Sequence, residues 1–167
     1  MAGPAHLVRR FLGSLSPRPL DPADDAWARE HLLRGEQELW ARMPRADRKH
    51  AAGVARDVVG RLGADASRPV VAAALLHDVG KVEAGLGTFG RVVATVVDRA
   101  RGRGEGRART GGRIRTYLDH DAIGARLLEE AGAEPLTVAW AREHHRPERH
   151  WTVPEPIGRA LRDADDD

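Results

Sequence analysis

Apolar positions recur at three- and four-residue spacing along most of this chain, the period of helices rather than the alternation of half-buried strands. The pattern predicts a first helix from Asp21 to about Leu33, a pause at Gly35, and a continuation through Glu36 to Met43. Asp21 can cap it, Pro22 suits its first turn, and Asp24 and Asp25 favour the positive end of its dipole. Further helices are predicted over about Asp47–Leu62, stopping at Gly63, and Pro69–Val79, stopping at Gly80. Glu83–Arg99 also reads as helical, although its VVATVV run has strand propensity. The last three helices are expected over about Arg113–Ala131, Pro135–His145 and Pro154–Ala164. Residues 99–112 are rich in Gly and Arg and aperiodic, which predicts a loop. Residues 1–20 read as a flexible lead-in, and 21–167 as a single all-helical domain without internal repeats.

Several predicted inward faces carry an imidazole. His50 shares a face with Val54 and Val58; His77 with Val70, Ala73 and Ala74, and Asp78 follows it directly. His120 lines up with Ile123, Gly124 and Leu127, and His144 with Leu136 and Trp140, with His145 alongside. Ile157 and Leu161 continue to Asp165. One inward histidine is most often a hydrogen-bonded core residue. Four helices that each turn one inward, with aspartates beside them, suggest ligands for divalent ions, because burying so many polar rings is otherwise costly.

Composition narrows the chemistry. The chain has no cysteine, which excludes disulfides, thiolate zinc sites, iron–sulfur clusters and a thiolate nucleophile, and is compatible with a cytoplasmic protein. Aromatic residues make up only 4%, so Ala, Val and Leu must fill most of the core. The longest apolar run, Val70–Leu76, is far shorter than the roughly 20 residues of a membrane span. A net charge of +2 does not suggest a nucleic-acid partner. Seven arginines do lie between Arg99 and Arg115 against one acid, Glu105, but without interleaved aromatic rings for base stacking.

The blocks HAAGVARDV from His50, ALLHDVGK from Ala74, LDHDAIGARLLEEAG from Leu118, AREHHRP from Ala141 and ALRDAD from Ala160 resemble the ordered motifs of the HD-domain superfamily of metal-dependent phosphohydrolases. The later His120 and His144–His145 resemble the pattern of HD-GYP-related phosphodiesterases. The resemblance implies an orthogonal helical bundle of the HD-domain type. It also implies one ion held by His50, His77, Asp78 and Asp165, with Asp163 the alternative closing ligand. Asp78 would bridge to a second ion on His120, His144 and His145, and Lys81 would face a substrate phosphate. No GYP tripeptide follows His145, where the chain reads RPERHWTVP, and Ala46 stands where some trinuclear relatives carry an acid. The resemblance therefore does not extend to cyclic di-GMP as substrate or to a third metal.

The implied reaction is hydrolysis of a phosphomonoester or phosphodiester of a nucleotide-like small molecule by a metal-activated hydroxide, with Asp78 and Lys81 as catalytic groups. Arg113 and Arg115, shortly before His120, are candidates for a second phosphate contact. One or two divalent ions are expected, two being favoured, and the donor types do not separate Mn, Fe, Co, Mg and Zn. Two other readings stay open: a non-catalytic metal- and nucleotide-binding regulatory module, and a nucleic-acid-associated protein acting through the arginine-rich loop. No membrane partner is expected, and the oligomeric state is open. Other residues have plainer readings. His31 packs with Trp27, while Trp27, Trp40 and Trp140 serve as core volume. Asp119 and Asp121 either orient the His120 ring or cap its helix.

Overall fold

The structure is a computed structural model that describes residues 20–84 and 119–166. Most of the expected lead-in, nearly all of the Glu83–Arg99 helix, the loop at 99–112, and Arg113 and Arg115 lie outside the described residues. Every described element is helical, and no described helix is long and apolar enough to cross a membrane.

In chain order the α-helices are α1 (Pro22–Glu30), α2 (Arg34–Arg42), α3 (Arg45–Leu62), α4 (Arg68–Leu76), the short α5 (Lys81–Ala84), α6 (His120–Glu130), α7 (Pro135–Glu143) and α8 (Glu155–Asp166). Helix α4 is the hub. Its residues from Val70 to Leu76 are all buried, as an uninterrupted apolar run requires. It packs against α3 on one side and α7 on another; α8 lies on α3, and α6 lies on α7. Full burial of each Val or Leu side chain contributes about 1.5–3 kcal/mol, and the alanines let the helix axes approach closely. Trp40 and Trp140 supply the bulk, at 0% and 2% exposure. Trp27 differs from expectation: it is half-buried, with the Arg56 guanidinium 3.7 Å from its ring centre. The Nδ1 of His31 pairs with the Trp27 carbonyl at 2.9 Å, which makes it a packing histidine.

The first helix ends earlier than its apolar pattern suggests. Glu36 sends its carboxylate back to the backbone N–H of Leu33 at 2.7 Å, which starts α2 at Arg34 and leaves Gly35 inside it. Gly35 is therefore not a break. A methyl group there would run into the carbonyl of Ala131 at the end of α6. Helix α3 stops where expected, at Gly63, whose φ of 53° is the left-handed conformation that glycine adopts most easily.

Helix α4 also ends early, at Leu76 rather than Val79. The Nδ1 of His77 bonds the Ala74 carbonyl at 2.9 Å, the group that would otherwise accept from the N–H of Asp78. The chain tightens through residues 77–80 into hydrogen-bonded turns, Val79 to Leu76 and Lys81 to Asp78, and then enters α5. His77 and Asp78 consequently sit on a buried turn rather than within a helix.

Candidate metal centre

Four stretches of chain bring their polar side chains to one place. The α4–α5 turn supplies His77 and Asp78, at 2% and 8% exposure. The first residue of α6 supplies His120, at 6%, and the end of α7 supplies His144, at 7%. Around this buried core stand His50 from α3, Asp165 from α8 and the exposed His145. Two groups of ligand atoms result, each with its members within 4.8 Å of one another: His50, His77 and Asp165, and Asp78, His120, His144 and His145.

Asp78 lies between them. Its Oδ1 is 3.3 Å from His120 Nε2 and 3.8 Å from His144 Nε2, while its Oδ2 is 3.5 Å from His77 Nε2. Asp165 Oδ1 is 2.9 Å from His50 Nε2 and 3.5 Å from His77 Nε2. Of the two candidate closing aspartates, Asp165 joins the cluster, whereas Asp163 is exposed. The seven side chains that the resemblance implied as ligands all fall in one of the two groups.

Backbone hydrogen bonds select the tautomers. His77 donates Nδ1–H to the Ala74 carbonyl, and His144 donates Nδ1–H to that of Ala141 at 3.0 Å. Both rings follow the end of a helix, where the carbonyls of the preceding turn point towards them. In its neutral form, the one that binds a metal, each ring turns the lone pair of Nε2 into the cluster. His77 Nε2, His144 Nε2 and Asp78 Oδ1 are buried without a hydrogen-bond partner. Such atoms are costly in a folded protein, and a cation is the partner that satisfies two imidazole lone pairs and a carboxylate together. The donor set therefore fits a divalent metal ion.

Electrostatics point the same way. Burial opposes a charge on His77, but Asp78 and Asp165 outweigh it and push the imidazole up to about 10. Burial also works against the Asp78 carboxylate, yet Lys81 and His77 hold it well below the usual carboxylate range. His144 is lowered to about 4, first by burial and then by the charge of His77. The protein alone thus balances two carboxylates with a protonated His77 and the Lys81 ammonium, and a divalent cation can take over that charge balance. Lys81 itself, expected to face a phosphate, makes a close ion pair with Asp78 Oδ2 and leaves only 16% of its side chain exposed.

Two contributors were not foreseen as such. Gly80 was read only as a helix stop, but a methyl group on it would overlap the carbonyl of His120 and lie 2.6 Å from the nitrogen of Gly124. Its lack of a side chain lets the start of α6 reach the His77–Asp78 turn. Glu143, at 5% exposure, accepts from the backbone N–H and hydroxyl of Thr152 at 2.7 and 2.8 Å. Its own carbonyl accepts from Trp151 Nε1 at 3.1 Å, and the Trp151 ring packs on Gly158 of α8. Glu143 therefore ties the helix end that carries His144 to the chain leading into the helix that carries Asp165. Asp121, expected either to orient the His120 ring or to cap its helix, has its Oδ1 3.6 Å from His120 Nδ1. An acid buried directly beside a histidine pair is a usable sequence signal for Glu143; nothing in the local sequence marks the close approach at Gly80.

Comparison of the chain with protein-family models, with curated proteins and with solved structures finds no match.

Proposed function

We propose that this protein is a metal-dependent phosphohydrolase with an HD-type helical bundle, acting on a phosphomonoester or phosphodiester bond of a nucleotide-like small molecule. The observation that carries the proposal is the position of Asp78 between two sets of imidazole and carboxylate donors, one of its oxygens towards each set. A single structural metal ion requires no such divided carboxylate, whereas two adjacent ions are a recurring arrangement for hydrolysis at phosphorus. His50, His77 and Asp165 would hold one ion, and His120, His144 and His145 the other, with Asp78 shared. When bound, such ions supply Lewis acidity, which activates water and neutralises charge on phosphoryl oxygens.

The chain's own groups have definable tasks. The Ala74 and Ala141 carbonyls hold the His77 and His144 rings in the tautomer that aims Nε2 at the site. The apolar wall of α4 closes the inner side of the cluster and limits bulk water there. The Lys81 ammonium neutralises Asp78 in the protein alone and is placed to exchange that partner for an anionic phosphate. The exposed edge at His145 leaves one side open for a small molecule.

The test is phosphate release from nucleoside monophosphates, nucleoside triphosphates and cyclic nucleotides, with protein stripped and reloaded with Mn²⁺, Fe²⁺, Co²⁺, Mg²⁺ or Zn²⁺. The expected result is turnover of one substrate class that vanishes on chelation and in a His77→Ala, Asp78→Ala variant. Absence of turnover with every ion, while metal analysis still finds ions bound, would overturn the catalytic reading in favour of a metal- and nucleotide-binding module.

A further inference from the structure

Two adjacent residues of an α-helix point about 100° apart, so a neighbouring pair aims its side chains at different places. His144 and His145 nevertheless bring their ring centres within 4.0 Å of each other and join the same donor group. They do so because α7 ends at Glu143, directly before the pair. The His144 ring takes the Ala141 carbonyl at 3.0 Å, the group that would accept from the N–H of His145 in a continued helix. The N–H of Arg146 then bonds the Glu143 carbonyl at 2.7 Å and tightens the chain into a turn. That carbonyl has a second donor. Trp151, on the chain that leads into α8, gives it the indole N–H at 3.1 Å. The indole is kept from turning away. A methyl group on Gly158 would lie 2.6 Å from its ring, the Arg162 guanidinium stands 4.1 Å from the ring centre, and the Trp140 ring lies at 5.3 Å. The pivot of the His144–His145 turn is thus held from outside its own helix, by a side chain seated on α8.

We infer that Trp151 is a positioning residue of the second metal group: its indole N–H fixes the Glu143 carbonyl on which the turn closes, and so aims His144 and His145 together at one ion. The inference rests on the metal-centre reading above. The lever is short, because Glu143 is joined directly to His144. A carbonyl that serves two donors has one orientation that suits both, and loss of either donor frees the peptide to rock. His144 keeps its own bond to the Ala141 carbonyl, so the effect falls most on His145, whose direction depends on the turn. Loss of a group that orients a ligand typically weakens metal binding by about 10–100-fold, and a support one residue removed belongs at the low end. The Trp151 ring also touches α8, which carries Asp165. Replacement by Phe removes the N–H and keeps part of that packing, which separates the two roles.

The experiment is titration of the stripped full chain with Co²⁺, followed by calorimetry and by visible absorption, for the unaltered protein and for Trp151→Phe, Thr152→Val and His145→Ala. In Trp151→Phe one of two Co²⁺ equivalents should weaken by about 10-fold with a changed absorption band, while the other is retained. His145→Ala should weaken the same equivalent and change the same band. Thr152→Val loses a hydrogen bond to the Glu143 carboxylate and none to its carbonyl. It should therefore lower the melting temperature of the metal-free protein and keep both equivalents. Equal Co²⁺ affinities and bands in Trp151→Phe and the unaltered protein would overturn the inference while leaving the metal centre intact. So would weakening of both equivalents in Trp151→Phe, matched by Thr152→Val at an equal loss of melting temperature, which marks a purely structural role. No Co²⁺ binding by the unaltered protein would instead overturn the metal reading on which it rests.

Discussion

Gly80 lies directly against His120, with no space between its Cα and the His120 carbonyl for a single methyl group. The contact joins the turn that carries His77 and Asp78 to the first residue of α6, and so sets the distance between the two donor groups. Gly80→Ala should therefore destabilise the protein by about 1–3 kcal/mol through overpacking against backbone. It should also weaken the ion held with His120 more than the one held with His50. Chemical denaturation read beside metal stoichiometry checks both, and an unchanged stoichiometry would show that the turn can shift without opening the centre.

Asp78 is the one donor placed between both groups. Asp78→Asn keeps the shape but removes the charge that Lys81 and His77 share, and it should abolish tight binding at both ion positions. His50→Ala should affect only one. Metal analysis after dialysis distinguishes these results, and loss of a single ion in Asp78→Asn would count against a shared carboxylate.

Glu143 ties the end of α7 to Thr152. Glu143→Gln replaces one acceptor oxygen by an N–H that meets a donor of Thr152, and the lost hydrogen bonds should cost about 1–3 kcal/mol. Thr152→Val should recover part of that loss when combined with it, because the hydroxyl partner is then absent. A double-mutant cycle in denaturant measures the coupling, and strictly additive effects would show that the two side chains stabilise the protein independently.

Asp25 joins helices α1, α2 and α3. It accepts from Arg29 at 2.8 Å, Trp40 Nε1 at 2.9 Å and Arg48 at 3.0 Å. Burial works against its charge, but the partners Arg29, Trp40 and Arg48 prevail and hold the carboxyl below the ordinary aspartate range. A carboxyl depressed in the folded state contributes stability at neutral pH that is lost as pH falls through the folded value. Asp25→Asn should therefore be less stable than the unaltered protein at pH 7, with the gap closing in acid below about pH 4. Denaturation curves across pH test this; a gap that stays constant would assign the effect to packing.

The helical class was legible because helical periodicity is local: apolar residues three and four apart face one way whatever they later touch. The stop at Gly63 and the starts near Pro22, Pro69 and Pro135 follow equally from backbone conformational limits on single residues. Element ends were less legible where a side chain competed for a backbone group. Glu36 took the N–H of Leu33, and the His77 ring took the Ala74 carbonyl, and each moved a boundary that apolar spacing cannot register.

The same division holds for the candidate centre. Sequence alone determined which residues could be ligands, because a histidine on an apolar face or beside an aspartate is visible without knowing its neighbours. Only the tertiary structure decided how they group: that Asp78 divides its oxygens between two sets, that Asp165 and not Asp163 enters the cluster, and that Lys81 pairs with Asp78. The groupings around Asp78 and Asp165 depend on distances between helices far apart in the chain. Such distances are set by packing contacts, among them the bare face of Gly80, whose effect is exerted on a residue forty positions away.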